Sequence, residues 1–193
     1  VLPEQDTVVA ITSGVRDMQS VLNLVWDKLL PGLQPSALPA DEAGANKLAV
    51  RIKGLSLRAP QAAGTPPAVV GKKYVFPANE RKLEAITLES GGNKLVTLGA
   101  RVDGREQRIE CGSEWRKARL AWGRAPEQPA AASGAWTSDD TFTAKLCFYE
   151  TPFTATVRLK FTGDEVRCAS ESNVGFGSPR ETELVGKVVA DAK

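Results

Sequence analysis

Apolar and polar residues alternate with a period of two from about residue 69 to residue 170. That is the spacing of strands with one face against a core. Candidate strands are 73–78, 83–89, 94–100, 107–111, 118–122, 134–137, 141–149, 153–161 and 165–170. Between them stand "PANE", "SGGN", "VDGR", "SDD" and "TGDE", all rich in turn formers. Short strands joined by tight turns predict an antiparallel meander, closed or nearly closed into a barrel of about eight or nine strands. Its best-specified part is a hairpin. Phe142, Ala144, Leu146 and Phe148 share one face of the first strand, and Phe153, Ala155, Val157, Leu159 and Phe161 one face of the second. Four phenylalanines placed this way predict an interior filled by side chains.

The first third of the chain follows other periods. Thr7 to Thr12, "TVVAIT", is β-branched and nearly all apolar, which predicts a strand covered on both faces. Met18, Val21, Leu22, Val25 and Leu29 then fall on one helical face, with Asp17 as N-cap and Pro31–Gly32 as the stop. A shorter helix is expected over about 41–57, with Leu48, Ile52 and Leu55 as its apolar side. The segment "RAPQAAGTPPA" reads as an extended connector. Three regions result: 1–33 as strand and helix, 34–69 as linker with a short helix, and 70–193 as the barrel.

Composition narrows the function. The net charge of +2 gives no electrostatic reason to expect nucleic acid as a partner. The nearest approach to a basic cluster, Arg116, Lys117 and Arg119, reads as a solvated strand or loop face. No apolar run approaches the ~20 residues of a spanning helix. Neither a signal peptide nor an initiator Met opens the chain, so it is expected to be a piece of a longer one. Three widely spaced cysteines, Cys111, Cys147 and Cys168, predict core thiols and not a disulfide or zinc framework.

Histidine is absent, which removes Ser-His-Asp and Cys-His chemistry. The candidate polar cluster is Asp139, Asp140, Lys145 and Glu150. Asp139 and Asp140 are adjacent, so in a strand they point to opposite faces. They are expected to accept hydrogen bonds at a turn and not to share a substrate atom. No Ser is followed by Lys at the third position, no Lys-Thr-Gly occurs, and "SGGN" and "NVGFGS" lack the lysine of a phosphate loop. No cofactor is expected.

The text "VLPEQDTVVAITSGVRDMQSVLNLVWDKLLPGL" resembles the end of the catalytic domain in β-lactamase-related serine hydrolases, through Pro3, Glu4, Asp6, Val8, Val9, Thr12 and Ser13. "SGAWTSDDTFTAKLCFYETPF" and "NVGFGS" resemble the lipocalin-like accessory barrel that many bacterial members carry after that domain. The resemblance implies a strand and one or two helices left over from a penicillin-binding-type α+β domain, followed by the barrel. It implies a parent that hydrolyses amide or ester bonds through an acyl-serine, with its nucleophile upstream of Val1. No catalytic residue carries over to any position here, so this chain is expected not to be an enzyme.

Partners expected from this reading are the upstream catalytic domain and a second copy, joined through the stretch from Val1 to Pro31. The alternative is a small module binding a hydrophobic ligand inside the barrel.

Overall fold

The computed structural model describes residues 1–34, 36–92, 95–123, 125–175 and 182–189. They fall into two compact units, Val1–Arg58 and Ala59–Lys193.

The first unit holds two short α-helices. Asp17 caps α1 (Met18–Leu24), its Oδ1 accepting from the Ser20 N–H at 3.2 Å. The helix loosens into a π-turn at Val25–Leu29 and ends in a 3₁₀ turn at Leu30–Gly32, where proline and glycine stop it as expected. Asp41 caps α2 (Glu42–Lys53) through the Gly44 N–H at 2.8 Å. This helix ends at Gly54, short of the expected residue 57; glycine is a poor helix former, and the Gly54 N–H closes the last turn on the Val50 carbonyl. No described residue of this unit is buried.

The expected strand at Thr7–Thr12 does not form. Thr7 makes one isolated bridge to Leu2, and residues 8–12 carry no strand pairing. A β-branched run becomes a strand only when a neighbour supplies the ladder.

The second unit is a nearly closed antiparallel barrel of ten strands: β1 (Lys73–Val75), β2 (Leu83–Ser90), β3 (Val96–Val102), β4 (Arg105–Cys111), β5 (Arg116–Leu120), β6 (Gln128–Ser138), β7 (Thr141–Cys147), β8 (Thr154–Thr162), β9 (Glu165–Ser172) and β10 (Leu184–Val189). The spatial order is β4-β3-β2-β1-β10-β9-β8-β7-β6-β5. The ladder passes through the first and last strands, since β10 pairs with both β1 and β9. Its two ends are β4 and β5, which are consecutive in sequence yet unpaired. The tenth strand is β10, one more than the pattern predicts. Its Gly186 packs face-on against Phe76, where an added Cβ would lie 2.8 Å from the ring.

Turn chemistry follows the sequence. Asp103 and Gly104 both take positive φ, 51° and 74°, in the two-residue turn between Val102 and Arg105. Residues 93 and 94, part of the "SGGN" turn and the start of the expected strand 94–100, lie outside the described residues.

The interior is packed with side chains. Tyr74, Leu88, Phe142, Leu146, Phe148, Leu159 and Val166 are fully buried. Phe161 contacts Tyr74 and Trp136 with ring centroids 5.4 and 5.6 Å apart, and Trp136 meets Phe142 edge-on at 5.5 Å. Phe153 departs from the expected core face and is 47% exposed. It sits in the β7–β8 connection, past the end of the ladder, where the Phe148 N–H donates to its carbonyl.

Candidate functional site

Asp139 and Asp140 occupy the β6–β7 turn. Asp139 Oδ1 accepts from the Thr65 N–H at 2.8 Å and so holds the incoming connector. Asp140 Oδ1 accepts from the Ser138 and Thr141 hydroxyls, both at 2.7 Å, and Lys160 Nζ lies 3.5 Å from Oδ2. The Thr141 bond, then the Ser138 bond, hold the Asp140 carboxyl below its ordinary range. Glu150 lies exposed in the turn after the opposite end of β7, about 20 Å away along the strand. Lys145 sits between them, half-buried and opposite Ser133 and Thr156. The four residues therefore do not converge. The two aspartates are turn residues, and the strand length separates them from Glu150.

Two other polar groupings carry less sequence signal. In the first, Arg81 reaches from the β1–β2 connection to β9, where Nη1 donates to Ser170 Oγ and Nη2 lies 3.4 Å from the Cys168 carbonyl and 3.6 Å from its Sγ. Ser170 and Cys168 are buried on the inward face of β9. Nothing in the local text of Arg81 marks it, because its partners are more than eighty residues away.

The second is the seam between β4 and β5. A cleft of about 600 Å³ opens there, lined by Thr97, Arg108, Glu110, Trp115, Arg116 and Lys117. That volume falls in the range of small-molecule sites. Arg108 is engaged by Glu89 through two bonds of 3.0 and 2.6 Å, which hold the Glu89 carboxyl below its ordinary range. Lys117 Nζ stands 5.7 Å from the centroid of the exposed Tyr149 ring. Arg116 is exposed at the strand start. Arg119, the third cation of the stretch, pairs with Glu127 at 2.9 Å. The expected solvated face is therefore also one wall of a groove. Periodicity could not reveal this, because the groove arises from a missing pairing.

The seam is latched at both ends. The Gly112 carbonyl accepts from the Gly134 N–H at 2.9 Å and the Ser133 hydroxyl at 2.8 Å. At the other end, Gln107 Oε1 accepts from the Ala121 N–H at 3.1 Å.

No protein-family model matches this chain, and no curated protein is significantly similar to it. Among the described residues, no group of three or more Cys, Asp or Glu is placed to hold a metal ion, and no helix is long and apolar enough to cross a membrane.

Proposed function

We propose that this chain is the non-catalytic C-terminal portion of a β-lactamase-related serine hydrolase, its barrel an accessory module that shapes the upstream cleft or aids dimerisation. The observation that carries this reading is the filled interior. With Tyr74, Phe142, Phe148 and Leu159 packed at its centre, the barrel offers rims and an outer surface for function, as a scaffold does. The first unit supports it further. Val8, Ile11, Met18, Leu24 and Trp26 are all more than 40% exposed. An unpaired β-branched run followed by an uncovered apolar helix is what a segment shows when its sheet belongs to another domain. The same residues provide the surface for self-association through the stretch from Val1 to Pro31.

The test is activity and size on one preparation. The chain should give no turnover of nitrocefin or p-nitrophenyl esters, and light scattering at tens of micromolar should give a dimer or larger. Turnover by the purified chain overturns the non-catalytic reading. A monomer overturns the self-association.

A second reading, a module for small hydrophobic ligands, draws on one observation. Tyr74 Oη and Trp136 Nε1 are buried with no hydrogen-bond partner among the described residues, and both rings pack on Phe161. A buried donor without an acceptor is costly, so a bound polar atom there would be stabilising. Saturable thermal stabilisation by fatty acids or apolar dyes supports that reading, and a flat screen removes it.

A further inference from the structure

We infer that the seam between β4 and β5 is a docking edge for an acidic extended peptide, taken up as an added strand along β5. This rests on the barrel alone and does not depend on the parent enzyme proposed above.

The backbone argument comes first. Arg119 lies opposite Pro129 in the β5–β6 register. Proline has no N–H, so this is a non-hydrogen-bonded pair, and the Arg119 N–H and C=O point away from β6 into the seam. Alternation puts the Lys117 backbone groups there too. The next N–H of the same parity, that of Ala121, does face the seam, because it donates to Gln107 of β4. On β4 the seam-facing Gly112 carbonyl assigns the same direction to Glu110 and Arg108. Among the described residues, no strand pairs with either edge. Two rows of donors and acceptors therefore flank the cleft, a ready template for strand addition.

Charge decides the occupant. β5 reads Arg116-Lys117-Ala118-Arg119-Leu120, without an acid. Antiparallel pairing of this edge with its copy centred on Ala118 sets Lys117 opposite Arg119, which is destabilising. The edge is thereby guarded against a second copy and against basic strands. A strand whose alternate residues are carboxylates can lay that one row beside Lys117 and Arg119, which share the outward face of β5, and the half-buried Trp115 offers a ring for an apolar residue at its end.

The test uses the full chain and an acetylated, amidated Thr-Glu-Val-Glu-Val-Glu-Thr peptide, followed by calorimetry and amide exchange. Saturable binding is expected, with slowed exchange at the Lys117 and Arg119 amides. The lysine-for-glutamate twin should bind at least about tenfold more weakly. The paired K117E and R119E variant, checked for native fold by circular dichroism, should reverse that preference. A peptide N-methylated on alternate backbone nitrogens should lose binding. Absence of saturation at about 1 mM, or equal affinity of the N-methylated peptide, overturns strand addition. Unchanged binding to the charge-reversed variant overturns the assigned edge.

Discussion

Gly134 of β6 lies directly against Cys111 of β4. A Cβ built on Gly134 would stand 2.9 Å from Cys111 Cβ, 2.8 Å from the tip of the Phe142 ring and 3.1 Å from the Thr143 carbonyl. The Gly134 N–H donates to the Gly112 carbonyl at 2.9 Å, so the contact that excludes a side chain is also the place where the barrel comes closest to closing. G134A must separate two fully buried neighbours, and overpacking of this kind costs about 1–3 kcal/mol. Urea denaturation should show that loss. G163A, at an exposed turn with φ of 59°, should cost only the strain of its backbone, about 1 kcal/mol.

Cys111 is fully buried, and burial pushes its thiol from an ordinary 9.0 up to about 12. The folded state thus keeps a proton that the unfolded chain gives up above pH 9. The stability associated with this group is intact below pH 9 and declines as pH rises toward about 12. The slope from one thiol is at most about 1.4 kcal/mol per pH unit. C111A lacks this slope, so the wild-type and variant stability curves should converge above pH 9. Iodoacetamide at pH 8 should leave Cys111 unmodified in the native protein and label it fully in urea, as read by mass spectrometry. Labelling at equal rates in both states would contradict the burial argument.

The connector before the barrel is held on the end of β6 and the turn after it by three bonds. Ala63 and Gly64 N–H donate to the Trp136 carbonyl at 3.0 and 3.2 Å, and Thr65 N–H donates to Asp139 Oδ1 at 2.8 Å. D139A removes one charged acceptor, an effect of about 1 kcal/mol, and should hasten proteolytic cleavage near residue 64. D139N keeps an oxygen acceptor and should restore most of the protection. G64A should expose the segment more than D139A does, because a Cβ on Gly64 would collide with the Ser138 carbonyl carbon. If all three variants are cleaved at the wild-type rate, the connector is not held by these bonds.

What the sequence made legible was whatever rests on local periodicity. The inward set Phe142, Ala144, Leu146, Val157, Leu159 and Phe161 is buried as its alternation demands, and the Asp103–Gly104 turn takes the backbone its composition favours. The start of β6 escaped notice because it is written in alanine and proline, poor strand formers. Ala130 and Ala132 are nevertheless fully buried, small residues within the hydrophobic core. β10 was missed because glycine interrupts it, and Gly186 is required there by Phe76. Part of "NVGFGS" can be followed: the Asn173 amide binds the Thr154 N–H and the Pro152 carbonyl, while residues 176–178 lie outside the described residues. The four candidate polar residues fell together in sequence and apart in space, since a seven-residue strand stands between the two turns. The seam and the Arg81 contacts depend on which strands meet after a long excursion, and no local pattern encodes that.

Gln107 supplies the remaining prediction. Its side chain stands in for one rung of a ladder that β4 and β5 never form, with Oε1 accepting from Ala121 N–H at 3.1 Å in a half-buried setting. Removing the acceptor in Q107A leaves that N–H to whatever water reaches it, at a cost of about 1–2 kcal/mol. Q107E retains an acceptor oxygen and should lose less, whereas Q107L keeps the bulk without the acceptor and should behave like Q107A. Amide exchange separates a local effect from a global one. In Q107A the Ala121 amide should exchange faster at temperatures where the Ala144 and Val157 amides, in the centre of the β7–β8 ladder, keep their protection. The opposite latch, Gly134 N–H on the Gly112 carbonyl, should also stay protected, because the cleft lies between the two ends and lets one open without the other. Unchanged exchange at Ala121 in Q107A would mean that the seam is held shut by something other than this side chain. Faster exchange at Gly134 as well would mean that both latches open as one unit.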